Sequence, residues 1–120
     1  MKRGQGWKFE VHAAEQDSGS CPALDFLESL SPYERVKLDS LIRRFAETGE
    51  VNNKEQIARV EDNLYEFKPY GLRMLWYYSS VRHRIVLTNG FKKTGGKKGR
   101  IKKGDLDTAR FLRNKYERKV

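Results

Sequence analysis

The chain has 120 residues, of which 38% are hydrophobic and 12% aromatic. This is enough to bury a core and too rich in aromatic residues for a disordered chain. No apolar run approaches the roughly 18 residues that span a bilayer, and no apolar stretch follows the first cations, so we expect neither a membrane segment nor a secretory signal. The single cysteine, Cys21, cannot form an intrachain disulfide, so we expect a reducing cytoplasm. One cysteine and two histidines also argue against a structural zinc site.

The formal net charge of +9 is concentrated in one half of the chain. Residues 1–61 hold 9 Lys and Arg against 11 Asp and Glu, whereas residues 62–120 hold 16 against 5. Between positions 92 and 103 there are seven cations and no acid. Such asymmetry favours binding to a polyanion, most simply nucleic acid. The alternative is a solvated basic surface that binds nothing.

The first predicted elements are a strand and a short helix. Trp7–His12 alternates between apolar and polar residues, which predicts a half-buried strand. A polar loop follows over residues 15–20. Pro22 can occupy the first turn of a helix over about 22–30, because that turn needs no N–H donor there.

A second helix has the clearest local signal in the chain. Ser31, Pro32 and Glu34 form a capping-box sequence, and apolar residues follow at helical spacing. Gly49 is expected to end this helix. The two helices form a hairpin that can cover one face of a sheet. Residues 50–63 are predicted to be a polar link.

Three candidate strands then follow in a row, at Leu64–Lys68, Leu72–Ser79 and Arg84–Phe91. They are rich in aromatic and β-branched residues, and their connections are too short for a parallel return, so they must be antiparallel. After a glycine-rich segment, an amphipathic helix is predicted over about 103–118. The predicted order is β-α-α-β-β-β-α, an α+β domain with an antiparallel sheet.

Three segments carry a family resemblance: Leu64–Lys68 (LYEFK), Arg73–Tyr77 (RMLWY) and Ile85–Thr94 (IVLTNGFKKT). Together they resemble the motifs of the phage-derived HigB-like branch of the RelE/ParE toxin superfamily. The resemblance implies a single RelE-like toxin domain over residues 1–120. It also implies a type II toxin that cleaves mRNA, usually on the ribosome, and a cognate antitoxin, which we expect to be a helix-turn-helix protein. No membrane partner is expected.

RNA cleavage beside a 2′-hydroxyl needs a proton acceptor, a charge stabiliser at phosphorus and a proton donor for the leaving 5′-oxygen. The histidines, His12 and His83, are better read as ordinary strand-end and loop residues. No acidic pair, phosphate-binding glycine loop or metal-ligand spacing is present in the sequence. We therefore expect no cofactor and no metal, which leaves lysine and arginine for the chemistry.

The catalytic candidates are Lys68, Arg73, Lys92 and Lys93. Arg73 is the best candidate to hold the phosphate, because a guanidinium can bind two oxygens at once. Lys68 or Lys93 can serve as the base and Lys92 as a phosphate ligand, or the reverse, and the sequence does not order them. The alternative without a catalytic role is that Arg73 is a surface arginine whose aliphatic stem packs on apolar neighbours.

Further residues are candidates for RNA binding, through stacking or phosphate contact. They are Tyr65, Tyr70, Arg84, Lys97, Lys98 and Arg100. Trp76, Tyr77 and Phe91 are expected to be core residues instead. Two other functions stay open: a non-catalytic basic nucleic-acid-binding protein on the same fold, and a phage assembly protein whose basic loop serves only for contacts.

Overall fold

The computed structural model describes residues 6–50, 56–93 and 101–120. The elements, in chain order, are β1 (Glu10–Ala13), α1 (Pro22–Ser29), α2 (Pro32–Thr48), β2 (Ile57–Glu61), β3 (Leu64–Phe67), β4 (Leu72–Tyr78), β5 (Arg84–Lys92) and α3 (Lys103–Glu117). None of the helices in these ranges has the length and apolar character that crossing a membrane requires. Over these three ranges the chain is thus an α+β protein with three helices and a five-stranded sheet.

The sheet is mixed, with strand order β1-β5-β4-β3-β2. The β3-β4-β5 meander is antiparallel, as predicted. The prediction of a wholly antiparallel sheet is wrong at β1, which pairs parallel to β5 with Val11 opposite Ile85. A parallel partner needs a long crossover, and here α1, α2 and three strands lie between the two. Local pattern alone does not show such a pairing.

The predicted polar link over 50–63 is also wrong, because it contains β2. This strand pairs antiparallel with β3, and the pairing is irregular between Arg59 and Glu61. Charged residues and an irregular edge are typical of a strand at the border of a sheet, and they hide the alternation that identifies a strand. Asn63 adopts a left-handed conformation (φ 48°) in the tight β2–β3 turn. The observed order is therefore β-α-α-β-β-β-β-α.

The first strand begins later than predicted. Trp7–His12 was expected to be extended throughout, but β1 covers Glu10–Ala13. The N–H groups of Lys8 and Phe9 both donate to the carbonyl of Ala46 in α2, at 2.9 and 3.0 Å. This segment is therefore held by α2 rather than by the sheet.

One face of the sheet packs against α1 and α2 and holds the main core. Trp76 is fully buried there, with its ring 4.8 Å from that of Phe67. The predicted capping box is present: Ser31 N–H donates to Glu34, and Glu34 N–H donates to the Ser31 hydroxyl. Gly49 ends α2 in the left-handed conformation (φ 72°), as predicted.

Helix α3 covers part of the opposite face. Its Ala109 and Leu112 are buried against β3, β4 and β5, so the prediction of an amphipathic helix here is confirmed. At the start of β5, the Glu117 carboxylate accepts hydrogen bonds from the hydroxyl of buried Tyr77 (2.8 Å) and the N–H of Ser80 (2.7 Å). The far end of this face, near the end of β5, carries charged side chains instead.

Candidate functional site

A concave surface of about 260 Å³ occupies that far end of the α3 face. We call it the basic cleft. It is lined by Ala58, Arg59, Glu66, Lys68, Arg73, Phe91, Lys93 and Ile101. Four of these side chains are cationic and one is acidic, so the cleft suits an anionic ligand.

Strand periodicity explains why these side chains meet. Glu66 and Lys68 are two residues apart at the end of β3, so both lie on the face that α3 partly covers. The register of β4 with β5 places Arg73 opposite Phe91. Beyond the end of β5, the N–H of Lys93 donates to the carbonyl of Gly71 at 2.7 Å, which brings Lys93 to the same edge.

The Arg73 guanidinium is held in place from two sides. Its Nε lies 3.4 Å from a carboxylate oxygen of Glu66, and both side chains are only 13% exposed. Its Nη1 donates to the backbone carbonyls of Tyr70 (2.6 Å) and Leu72 (2.8 Å). Within the described residues Nη2 has no hydrogen-bond partner. The guanidinium is therefore a fixed donor on the wall of the cleft.

Three of the four catalytic candidates share this cleft: Lys68, Arg73 and Lys93. The fourth, Lys92, lies in a neighbouring cavity, and its Nζ is 3.3 Å from the carboxylate of Glu34 in α2. Lys93 lines both cavities. Adjacent strand residues point to opposite faces, so Lys92 and Lys93 diverge.

The cleft also contains residues that the sequence did not single out. Glu66 could have been found, because it alternates with Lys68 on a predicted strand. Arg59 could not, because β2 was not predicted. Phe91 was expected to be core, and it packs against the α3 cluster while its remaining surface lines the cleft.

The RNA-binding candidates are dispersed. Tyr65 stacks on Trp76 at 4.8 Å, on the face that α1 and α2 cover. Tyr70 is exposed in the β3–β4 turn. Arg84 pairs with Glu10 at the start of β5, roughly 26 Å along the strand from Lys92 at 3.3 Å per residue. The last three candidates, Lys97, Lys98 and Arg100, lie outside the described residues.

Both histidines lie away from the basic cleft, near the start of β5. His12 contacts the Glu10 carboxylate, and His83 occupies an exposed turn with φ 59°. Hydrogen bonds from His12 and Arg84 hold the pKa of Glu10 below its ordinary value. In the three described ranges, no three His, Cys, Asp or Glu side chains gather into a metal-binding group.

One comparison with known proteins places the chain in a family. The profile described as "Phage derived protein Gp49-like (DUF891)" matches residues 25–114, about three quarters of the chain. The chain belongs to this Gp49-like family. The family is associated with toxin–antitoxin systems, and the matched span contains every residue of the basic cleft. A search of curated proteins gave no significant match.

Proposed function

We propose that this Gp49-like protein is the toxin of a type II toxin–antitoxin system. In this proposal it is a HigB-like member of the RelE superfamily, and it cleaves mRNA on the ribosome, in the cytoplasm, without a metal ion. The observation that carries the proposal is the meeting of Lys68, Arg73 and Lys93 in one cleft within the family's matched span.

Arg73 is proposed to bind the phosphate that is cleaved. A fixed guanidinium stabilises the extra negative charge of the phosphorane better than a mobile one, because no reorganisation is needed as charge develops. Glu66 acts through Arg73: its carboxylate holds the guanidinium at 3.4 Å and so positions the nitrogen that meets the phosphate. Glu66 is therefore a positioning residue in this proposal.

Lys68 and Lys93 are proposed to move the protons. One amine takes the proton from the 2′-hydroxyl while the 2′-oxygen forms a bond to phosphorus. The bond from phosphorus to the 5′-oxygen breaks, and the other lysine, as an ammonium, gives that oxygen a proton. The products are a 2′,3′-cyclic phosphate and a 5′-hydroxyl.

Expression in bacteria tests the proposal, with wild type, Arg73→Ala and Arg82→Ala compared for growth arrest. Arg82 is an exposed arginine near the start of β5, so it controls for loss of positive charge. We expect growth arrest by wild type and Arg82→Ala but not by Arg73→Ala. Thermal unfolding curves should show that all three proteins are folded. Wild type that leaves growth unchanged, or an Arg73→Ala variant that arrests growth equally, would remove the catalytic role.

A cognate antitoxin is part of the proposal. We expect a small helix-turn-helix protein encoded beside the toxin gene to restore growth when the two are expressed together. Continued arrest in the presence of that neighbour would contradict the pairing.

The second candidate function is a non-catalytic basic protein that binds nucleic acid on the same fold. One observation favours it: Nε and Nη1 of Arg73 already have partners, which leaves fewer donors for a phosphate. Binding of RNA by wild type without any cleavage of translated mRNA would select this alternative.

A further inference from the structure

A second cavity, of about 380 Å³, lies beside the basic cleft. We call it the tyrosine pocket. It is lined by Tyr33, Glu34, Lys37, Tyr70, Gly71, Leu72, Lys92 and Lys93. Its volume is within the range of small-ligand sites, and Lys93 forms part of both cavities. The two cavities therefore adjoin each other at Lys93.

Two tyrosine rings are left exposed in this pocket. Tyr33, in the first turn of α2, is 65% exposed, and Tyr70, in the β3–β4 turn, is 70% exposed. Tyr70 also adopts a left-handed backbone conformation (φ 54°), which a bulky residue rarely takes. Burial of aromatic surface stabilises a fold, so two rings kept in solvent, one of them on strained backbone, point to a ligand.

The charges of the pocket indicate what kind of ligand it takes. The Nζ of Lys37 lies 5.2 Å from the centre of the Tyr33 ring and 5.5 Å from that of Tyr70. Lys92 and Lys93 add two further cations. Glu34 is engaged by Ser31 and Lys92, and the backbone hydrogen bond from Ser31 holds its pKa below the ordinary value. Flat rings beside ammonium groups suit a nucleotide, which joins a planar base to an anionic phosphate.

We propose that the tyrosine pocket binds one base of single-stranded RNA, stacked on Tyr33 or Tyr70, while the adjoining phosphate enters the basic cleft. This deepens the proposed function and rests on it for the identity of that phosphate. Lys93, as the shared wall, contacts the backbone between the base and the phosphate. The pocket thus selects unpaired RNA, because a base inside a duplex cannot reach the rings.

Binding of an uncleavable strand tests this inference independently of catalysis. The probe is a fluorescent single-stranded oligonucleotide in which every 2′-hydroxyl is replaced by hydrogen, and a matched series carries one abasic site at each position in turn. Affinities are measured by fluorescence anisotropy at fixed salt for wild type, Tyr33→Leu, Tyr70→Leu and Phe111→Leu. Phe111 is an exposed aromatic residue on α3 that lines neither cavity, so it is the matched control.

We expect an abasic site at one position of the strand to weaken wild-type binding by about tenfold. Tyr33→Leu or Tyr70→Leu, or both, should weaken binding of the intact strand by about the same factor. The same variant should bind the abasic strand with the affinity that wild type has for it. Tyr33→Phe and Tyr70→Phe, which keep the rings, should bind as wild type. The Phe111→Leu variant should also bind as wild type.

Equal affinity of wild type for the intact strand and every abasic strand would overturn the inference. So would equal effects of Tyr33→Leu, Tyr70→Leu and Phe111→Leu. Base-dependent binding by a protein that cleaves no mRNA would support the tyrosine pocket and reject the endoribonuclease. Cleavage of mRNA without base-dependent binding would do the reverse.

Discussion

The two ends of the α3 face differ in how far their polar and charged groups are paired. At the start of β5, one acid, Glu117, accepts hydrogen bonds from Tyr77, Ser79 and Ser80 and ties α3 to the sheet. At the end of β5, four cations meet one acid, Glu66, in the open basic cleft. The same strand therefore runs from a satisfied polar network to a surface with excess positive charge.

This difference separates stability from function along one strand. A partly buried carboxylate stabilises the fold only when its oxygens have hydrogen-bond donors as partners, as they do at Glu117. A cluster of cations is stabilised by a bound anion instead, and none of the residues that line the basic cleft belongs to one of the described helices. Substitutions at the Glu117 end should therefore lower the free energy of unfolding, whereas substitutions in the basic cleft should lower RNA cleavage.

The largest effect is expected for Lys68→Met and Lys93→Met in the basic cleft. Each should lower the rate of mRNA cleavage by about 100-fold or more, because a proton-transfer group is removed. The free energy of unfolding should change by less than about 0.5 kcal/mol, as for other surface substitutions. Lys8→Met, an exposed lysine before β1, is the control. Loss of activity in parallel with loss of stability would erase the distinction between the two ends.

The α1 side of β5 should show the opposite behaviour. A side chain at Gly90 would place its Cβ 2.2 Å from the ring of Phe26 in α1. Gly90→Ala should therefore lower the free energy of unfolding by about 1–3 kcal/mol, measured by urea denaturation. Gly104→Ala in α3, where a Cβ meets nothing within 4 Å, is the matched control and should be neutral or stabilising. Equal stability of the two variants would contradict the close packing of α1 on β5.

For Glu117→Gln we expect a smaller loss in the free energy of unfolding, about 1–2 kcal/mol at neutral pH. The reason is that hydrogen bonds to a charged acceptor become hydrogen bonds to a neutral one. Burial alone would raise the pKa of Glu117, but hydrogen bonds from Ser80, Tyr77 and Ser79 outweigh it and leave the pKa below 4.5. The wild-type contribution is therefore present above pH 4.5 and is lost as the pH falls through the lowered pKa. Unfolding curves at neutral and acidic pH should show less acid sensitivity in the variant; an unchanged pH dependence would refute this role.

The smallest effect is expected for Asp17→Asn. Contacts with Lys115 and Lys119 lower the pKa of Asp17 to about 2, yet all three side chains are well exposed. Exposed ion pairs contribute little to stability. The thermal midpoint at neutral pH should be unchanged, and any wild-type advantage should disappear only as the pH falls toward 2. A clear drop in the neutral-pH midpoint would show that the α3 end depends on surface charge as well as on Glu117.

Local signals in the sequence predicted much of this fold. The capping box at Ser31 and Glu34 and the Gly49 terminus depend on neighbouring residues, so they could be read directly. The β3-β4-β5 meander followed from short connections. The candidates Lys68, Arg73, Lys92 and Lys93 followed from the residue types that remain for RNA cleavage and from the family resemblance, and three of the four share the basic cleft.

Features that depend on distant parts of the chain could not be predicted. The parallel pairing of β1 with β5 joins segments more than 70 residues apart. Strand β2 is short, charged and irregular. The tyrosine pocket exists because the first turn of α2 brings Tyr33 near Tyr70 in the β3–β4 turn, and neither segment carries a signal of the other.

The chemistry of the RNA ends tests the central claim most directly. Purified protein is added to a cell-free translation system, and the ends of the cleaved mRNA are determined for wild type and for Lys68→Met. We predict a 2′,3′-cyclic phosphate on the upstream fragment and a 5′-hydroxyl on the downstream one, with much slower cleavage by the variant. Intact mRNA, or 3′-hydroxyl and 5′-phosphate ends, would contradict cleavage by the cations of the basic cleft.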